Sequence, residues 1–190
     1  VNPGVYGFIL DVPATVDKVY ELVNTRKSGD VEPVYERVGF RREDDGTDLG
    51  STYVEVDLSR QYLWVYIDGQ VVMETSIVSG LPGTPKWATN VGVGSILSKS
   101  TGQTLKGDNF DGSRYETPVK FWMPIGWDGE GFHDAPWRGG FGGNIYYSNG
   151  SHGCLNMPPA MAAKLFELVP HGTPVVVYES STSNSPAMSY

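Results

Sequence analysis

The sequence predicts a mostly β fold preceded by a small α+β segment. Residues 53–58 alternate apolar and polar side chains, and residues 62–67 form a run of aromatic and β-branched residues. Asp68-Gly69 follows, a strong two-residue hairpin signal before Val71-Val72-Met73. Three consecutive strands joined by short turns form an antiparallel meander, so we expect residues 49–179 to consist mainly of sheets.

Composition excludes several classes of function. The chain has 190 residues, of which 39% are hydrophobic and 19% charged, enough apolar material for a core. Fourteen Lys and Arg against 22 Asp and Glu give a net charge of -8, which disfavours nucleic acid and anionic lipid as partners. No apolar run approaches the ~20 residues of a membrane helix, so no membrane span is predicted.

The N-terminal 48 residues differ from the rest of the chain in their sequence pattern. Residues 13–27 place apolar side chains on one helical face, which predicts an amphipathic helix. Residues 34–42 alternate like a half-buried strand, and residues 43–48 form a polar connector. We therefore place a domain boundary near residue 49.

Further elements are predicted along the larger domain. Residues 80–85 are a turn cluster, residues 98–115 a long exposed loop or hairpin that frames a binding cleft, and residues 121–125 a strand. Apolar residues at helical spacing after Pro158-Pro159, as far as Val169, predict a short helix. Residues 175–178 predict a buried strand, and residues 180–190 a flexible tail.

Cys154 is the single cysteine, so it forms no internal disulfide. Alone it would be interpreted as a small buried hydrophobic residue, but it lies in Gly150-Ser151-His152-Gly153-Cys154-Leu155-Asn156. A thiol becomes a nucleophile as thiolate, which needs a nearby base or cation. Because a tight turn would separate His152 from the thiol, the base can also come from elsewhere in the chain.

The second candidate base is His133, in Gly131-Phe132-His133-Asp134. A loop with Trp137, Arg138 and four glycines follows, which we expect to be a lid. A lone histidine is most often a surface or core residue, but two histidines beside a cysteine motif predict cysteine–histidine chemistry.

His133, seventeen residues, and then Ser151-His152-Gly153-Cys154-Leu155-Asn156 resemble the signature of the YkuD-type L,D-transpeptidases, which cross-link peptidoglycan. The resemblance covers roughly residues 50–179, including STYVEVDLSRQYLWVYIDGQVV and PVKFWMPIGWDGEGFHD, and is strongest toward the enterococcal-type enzymes. Members often carry a Thr-Pro-x-Gly turn where this chain has Thr89-Asn90-Val91-Gly92, which leaves the geometry of residues 81–100 open.

The resemblance implies a YkuD-like β-sandwich with one or two short helices, a catalytic domain at residues 49–179 and no cofactor. Residues 1–48 resemble the C-terminal part of an accessory, peptidoglycan-binding-like domain. Cys154 would be the nucleophile and His133 the general base, with Ser151 orienting the imidazole through its backbone carbonyl. The amides of Gly153 and Cys154, with His152, would hold the oxyanion.

The implied reaction has two steps. Cys154 attacks the L,D bond after the third residue of a tetrapeptide stem, releasing D-alanine and leaving a thioester. The side-chain amine of another stem then resolves the thioester, and carbapenems would acylate the same cysteine. The same resemblance implies a cell-surface or cell-wall location, with an export signal or anchor expected upstream of Val1.

Aromatic residues around the motif are candidates for substrate contact. Trp137 is the strongest because it lies in a glycine-rich loop, whereas for Trp122 and Met123 a place in the core is the favoured interpretation. The full set of substrate-binding candidates is Tyr115, Trp122, Met123, Trp137 and Asn156, with Trp127 also near the expected cleft.

Other functions remain open. Water as acceptor would make the chain an L,D-carboxypeptidase, and a protein amine would make it a protein-to-wall ligase. His133, His152 and Cys154 are also zinc-ligand types, which allows a zinc-dependent hydrolase. A wall-binding module with a vestigial site is the non-enzymatic alternative. Glu74, Asp128 and Glu130 are interpreted as a solvated face rather than a glycosidase pair.

Overall fold

The computed structural model describes residues 9–26, 28–37, 49–109, 111–126 and 129–180. These contain three helices, α1 (Val12–Asn24), α2 (Ile145–Asn149) and α3 (Pro159–Leu168). The described strands are β1 (Ile9–Leu10), β2 (Tyr35–Arg37), β3 (Tyr53–Asp57), β4 (Tyr62–Ile67), β5 (Gln70–Ser76), β6 (Gly92–Ser95), β7 (Ser100–Asp108), β8 (Arg114–Pro124), β9 (Gly131–Asp134), β10 (Leu155–Met157) and β11 (Pro174–Tyr178).

The first large sheet has the order β5-β4-β3-β11-β6. The predicted meander is confirmed, since β3, β4 and β5 pair in antiparallel fashion. Asp68 and Gly69 both have positive φ, 50° and 75°, as a tight hairpin turn with the right twist requires. The predicted C-terminal strand β11 lies inside this sheet, parallel to β3 and antiparallel to β6.

The second large sheet has the order β10-β9-β8-β7. Residues 98–115 include β7 and the beginning of β8, so the hairpin alternative is correct, and the predicted strand at 121–125 is the end of the long β8. β9 pairs in parallel with β10, and in this register His133 lies opposite Asn156. The end of the cysteine motif therefore lies beside the histidine.

The core confirms the mostly β fold with two sheets around one interior. Its buried apolar residues come from both large sheets and from α3, which faces inward through Ala162 and Leu165. Burying this surface supplies the main favourable free energy of folding. Representative fully buried members are Val54, Leu63, Met123, Phe132, Leu155 and Val175.

The N-terminal segment pairs β1 with β2 beside α1. The predicted helix at 13–27 is confirmed over Val12–Asn24, with Asp11 as its N-cap, and it ends where Arg26 takes a φ of 52°. Most of its large apolar side chains are exposed, while Leu22 is half-buried. The connector and the tail at 181–190 lie outside the described residues, and the domain division stays a prediction.

Several short elements were not predicted. His133 lies within strand β9 rather than after a strand, and the glycine-rich loop expected to be a lid contains helix α2. β6 and β10 were also missed. Segments of three to five residues do not show a resolvable period, so only tertiary pairing defines them. No helix in the described part of the chain is long and apolar enough to cross a membrane.

Candidate active site

The turn that carries Cys154 is fixed at both ends. Ser151 forms a parallel bridge with Gly80, donating its N–H to the carbonyl of Ser79 at 2.9 Å and accepting from the N–H of Leu81 at 3.1 Å. Gly153 has a φ of 114°, a conformation that glycine adopts without strain. Cys154 then directly precedes β10, so its backbone is anchored by a buried strand.

The hydroxyl of Ser151 forms two hydrogen bonds within this turn. Its Oγ accepts from the N–H of Gly153 at 3.1 Å and donates to the carbonyl of Cys154 at 2.5 Å. Two expectations are corrected. The Ser151 carbonyl bonds Leu81 rather than orienting His133, because the bridge to Gly80 turns that carbonyl away. The Gly153 N–H, expected at the oxyanion, is already bonded to Ser151.

The imidazole of His133 is 4% exposed and both of its nitrogens have partners. Nδ1 lies 2.9 Å from the carbonyl oxygen of Asp134, and because a carbonyl only accepts, Nδ1 carries the proton. Asp134 is itself fixed, since its Oδ1 accepts from the backbone N–H groups of Lys120 and Phe121, each at 2.8 Å. The orienting carbonyl is therefore that of Asp134.

The other ring nitrogen, Nε2, faces the side chain of Asn156. The Asn156 amide donates to Nε2 at 2.9 Å, and its oxygen accepts from Nε and Nη2 of Arg138 at 2.7 and 3.1 Å. This orientation of the amide follows from chemistry, because a guanidinium has donors only. Asn156, expected to bind substrate, is 3% exposed and holds the histidine instead.

Burial lowers the pKa of His133, and the positive charge of Arg138 adds to this effect, while the contact with Asp134 opposes it. The ring therefore stays neutral at a pH where an ordinary histidine is partly protonated. A neutral imidazole with a lone pair on Nε2 is the form that a general base requires.

Cys154 is half-buried at a cavity of about 260 Å³. Its Sγ lies 3.8 Å from the carbonyl oxygen of Gly129. The structure brings together at this cavity the predicted residues Tyr115, His133, Trp137, Ser151, His152, Cys154 and Asn156. Burial and the nearby charge of Cys154 raise the pKa of Tyr115, so its hydroxyl keeps its proton beside the thiol.

His152 lies between two aromatic rings at the mouth of the site. Its ring centroid is 4.7 Å from that of Trp87 and 4.7 Å from that of Tyr115. Partial burial and the charge of Lys86 lower its pKa. A second cavity of about 380 Å³ adjoins this side and shares the wall formed by Gly150, Ser151 and His152.

The remaining substrate-binding candidates separate into surface and core. Trp137 is 51% exposed and its ring is roughly parallel to that of His133, with centroids 5.9 Å apart. Trp122 is half-buried, 6.1 Å from the same ring. Met123 is fully buried in the core, which places it away from the cavity surface. Trp127 lies outside the described residues.

Sequence reasoning missed the residues that support the nucleophile turn. The hydroxyl of Thr89 accepts from the N–H of Gly80 at 2.8 Å and donates to the carbonyl of Gly153 at 2.7 Å. Glu130, interpreted as solvated, accepts from the N–H of Asn90 at 3.2 Å and lies beside Gly153. The departure from the family pattern at residue 90 was the one available signal, because these contacts join segments distant in sequence.

Thr89→Val should destabilise the fold by about 1–3 kcal/mol and slow acylation of Cys154, because two buried backbone groups lose their partner. Thr89→Ser keeps the hydroxyl and is the matched control, which should stay close to the wild-type chain. Urea unfolding and the acylation rate measure both effects. Equal behaviour of the two variants would show that the hydroxyl does not hold the turn.

Among the described residues, no group of three His, Cys, Asp or Glu side chains is placed to hold a metal ion. His133 turns its two nitrogens to Asp134 and Asn156. The arrangement needed for the zinc alternative is therefore not found in that part of the chain.

Comparison with known proteins places this site in a family. The model of the YkuD L,D-transpeptidase catalytic domain matches residues 51–177, which include the entire cavity around Cys154 and both large sheets except Tyr178. The chain belongs to the YkuD family. The predicted family and the mostly β fold are both confirmed.

Individual YkuD proteins agree with this assignment. A crystal structure of a cysteine-to-serine mutant of the Enterococcus faecium L,D-transpeptidase is 38% identical with a TM-score of 0.76, covering 92% of this chain and 67% of that one. The catalytic domain of the E. faecium enzyme acylated by ertapenem is 49% identical with a TM-score of 0.60, covering 68% and 98%. L,D-transpeptidase 1 of Mycobacterium tuberculosis is 28% identical over 150 residues, 74% of this chain and 56% of that protein. The chain thus spans about half the length of this curated relative.

Proposed function

We propose that this chain is a peptidoglycan L,D-transpeptidase that forms 3-3 cross-links through a thioester on Cys154. The observation that carries the proposal is the placement of Cys154 and His133 on one cavity, with His133 in β9 and Cys154 directly before the adjacent parallel strand β10. The ertapenem-acylated state of a YkuD domain 49% identical supports acyl transfer as the reaction class.

In the first step the thiol of Cys154 gives its proton to Nε2 of His133, the ring nitrogen with the lone pair. This proton transfer replaces the hydrogen bond that the Asn156 amide donates to Nε2. Sγ then attacks the carbonyl carbon of the third stem residue. When the tetrahedral intermediate collapses, the bond to D-alanine breaks and the leaving amine takes the proton from Nε2. A thioester on Cys154 and free D-alanine result.

The developing oxyanion needs hydrogen-bond donors beside Cys154. We assign the backbone N–H of Cys154 and the hydroxyl of Tyr115 to this role, because Tyr115 lies at the same cavity and stays protonated. Preorganised donors of this kind contribute about 10²- to 10³-fold each in rate. Ser151 and Gly153 serve the geometry of the turn.

In the second step an amine attacks the thioester carbonyl, loses a proton to His133 and displaces the thiol. We propose that the amine arrives through the second cavity, beside His152, where Asp111 supplies a negative charge for a cationic side chain. We propose that its partners are tetrapeptide donor stems and side-chain amine acceptors of the cell wall, and that the enzyme works outside the cell membrane.

The test is incubation with a disaccharide-tetrapeptide in the presence of EDTA, with the products analysed by mass spectrometry. We expect free D-alanine and a 3-3 linked dimer, both absent with Cys154→Ala. A tripeptide without dimer would identify an L,D-carboxypeptidase, and transfer only to an added protein amine would identify a ligase. Binding to cell walls without turnover in either chain would contradict an enzymatic role.

A further inference from the structure

We propose that Arg138 is a positioning residue that, through Asn156, keeps Nε2 of His133 free of a proton while the Asp134 carbonyl holds the proton on Nδ1. The proposal rests on the proposed function only in that His133 acts as the base. Arg138 touches neither the thiol nor the imidazole in the described contacts and acts through the amide between them.

The contacts form a chain of four groups. Nε and Nη2 of Arg138 both donate to the Asn156 oxygen, the Asn156 amide donates to Nε2 of His133, and Nδ1 of His133 donates to the Asp134 carbonyl. A fork of two donors on one oxygen fixes the plane of the amide as well as its direction. This series of hydrogen bonds is buried at its centre, where Asn156 and His133 are 3% and 4% exposed.

Arg138 is itself held in place. Its Nη1 donates to the carbonyl of Asn149 at the end of α2, at 2.8 Å, and its backbone N–H donates to the carbonyl of Ala135 at 3.1 Å. The glycine-rich loop expected to be a lid thus connects α2 to the imidazole. The guanidinium is positioned before any substrate enters.

The orientation of the amide has a chemical consequence for the ring. If Nε2 were protonated, its N–H would oppose the N–H of Asn156. If the amide turned to accept from Nε2, its NH₂ group would oppose the guanidinium of Arg138. Either arrangement sets two buried donors against each other, so the clamp formed by Arg138 and Asn156 favours the neutral ring with its proton on Nδ1.

Other charges also act on this ring and have to be separated from the clamp. Asp134 faces it from β9, Arg138 from the following loop, and Tyr115, His152 and Cys154 line the same cavity. These charges change the pKa of His133 by electrostatics alone. The hydrogen bond that Nε2 accepts depends on the Asn156 amide, so the ¹⁵N shift of Nε2 in the neutral ring is the specific readout.

The experiment is long-range ¹H–¹⁵N spectroscopy of the His133 ring through a pH titration, without substrate. In the wild-type chain we expect the neutral Nδ1–H tautomer. Arg138→Met frees the amide to turn, so Nε2 of the neutral ring should lose its hydrogen bond, seen as a change in its ¹⁵N shift, and the titration midpoint should rise. Asn156→Asp accepts from both Arg138 and Nε2 while the Asp134 carbonyl still accepts from Nδ1, so it should stabilise the doubly protonated ring and raise the midpoint further.

Lys164→Met is the matched control, since it removes one positive charge from an exposed position on α3 and should leave tautomer and midpoint unchanged. The low-pH limb of the acylation rate should move to higher pH in Arg138→Met, because the base works only when neutral. An unchanged ¹⁵N shift of Nε2 in the neutral ring of Arg138→Met, or an unchanged titration midpoint in Asn156→Asp if the former does not fold, overturns the clamp. Failure of the proposed function is distinct, because the ring is measured without any reaction.

Discussion

Replacing His133 by alanine is expected to slow acylation of Cys154 by about 10²- to 10⁴-fold, the usual contribution of a positioned general base. Without Nε2 the thiol loses its proton only to water, so the thiolate is scarce at neutral pH. The rate of adduct formation with a carbapenem, followed by intact mass, measures the loss. Added imidazole should restore part of the rate by entering the space that the ring leaves.

The wild-type pH profile provides a second readout of the same group. Because the pKa of His133 is lowered, the ring is neutral, and the rate maintained, below the pH at which an ordinary histidine becomes protonated. His171→Ala is the control, since His171 is an exposed residue outside the cavity.

Full-rate acylation of His133→Ala at neutral pH, with an unchanged circular dichroism spectrum, would remove His133 from the role of base.

Gly80→Ala is expected to have the largest effect on stability, about 3 kcal/mol in the free energy of unfolding. A Cβ at this position would lie 2.0 Å from the carbonyl oxygen of Trp87, 2.7 Å from the nitrogen of Thr89 and 2.9 Å from the Cα of Gly153. All three are backbone atoms, so no side chain can rotate out of the way. The Cys154 turn would be displaced, and acylation would be lost with it.

Gly139→Ala is the matched control, because a Cβ there meets open space. It should keep the wild-type melting temperature and acylation rate. Thermal unfolding and carbapenem adduct formation on the same samples compare the two variants. Wild-type stability of Gly80→Ala would contradict the close packing of residue 80 against the turn.

The elements that the sequence predicted correctly are those with a local cause. The meander β3–β5 follows from alternation and from Asp68-Gly69, and α3 from prolines before a helical apolar pattern. Cys154 and His133 were predicted as a pair because a single thiol stands in a specific motif, and both line one cavity. In each case the decisive residues lie within one short window or one narrow spacing.

What the sequence did not predict depends on contacts between distant segments. Thr89 meets Gly153 across 64 positions, and Glu130 meets Asn90 across 40. Ser151 was assigned the wrong contact, because its bridge to Gly80 is invisible in the motif. Arg138 and Asn156 have no periodic signal at all. The pairing of β9 with β10 brings Asn156 to His133, and Arg138 contacts Asn156 from the loop after β9.

The central claim is that Cys154 is a metal-independent, acyl-accepting thiol. The most direct test is intact mass after incubation with a carbapenem and EDTA, in parallel on the wild-type chain and on Cys154→Ala. A single adduct on the wild-type chain and none on Cys154→Ala is the predicted result. An adduct on both chains, or none on a folded wild-type chain, would contradict it.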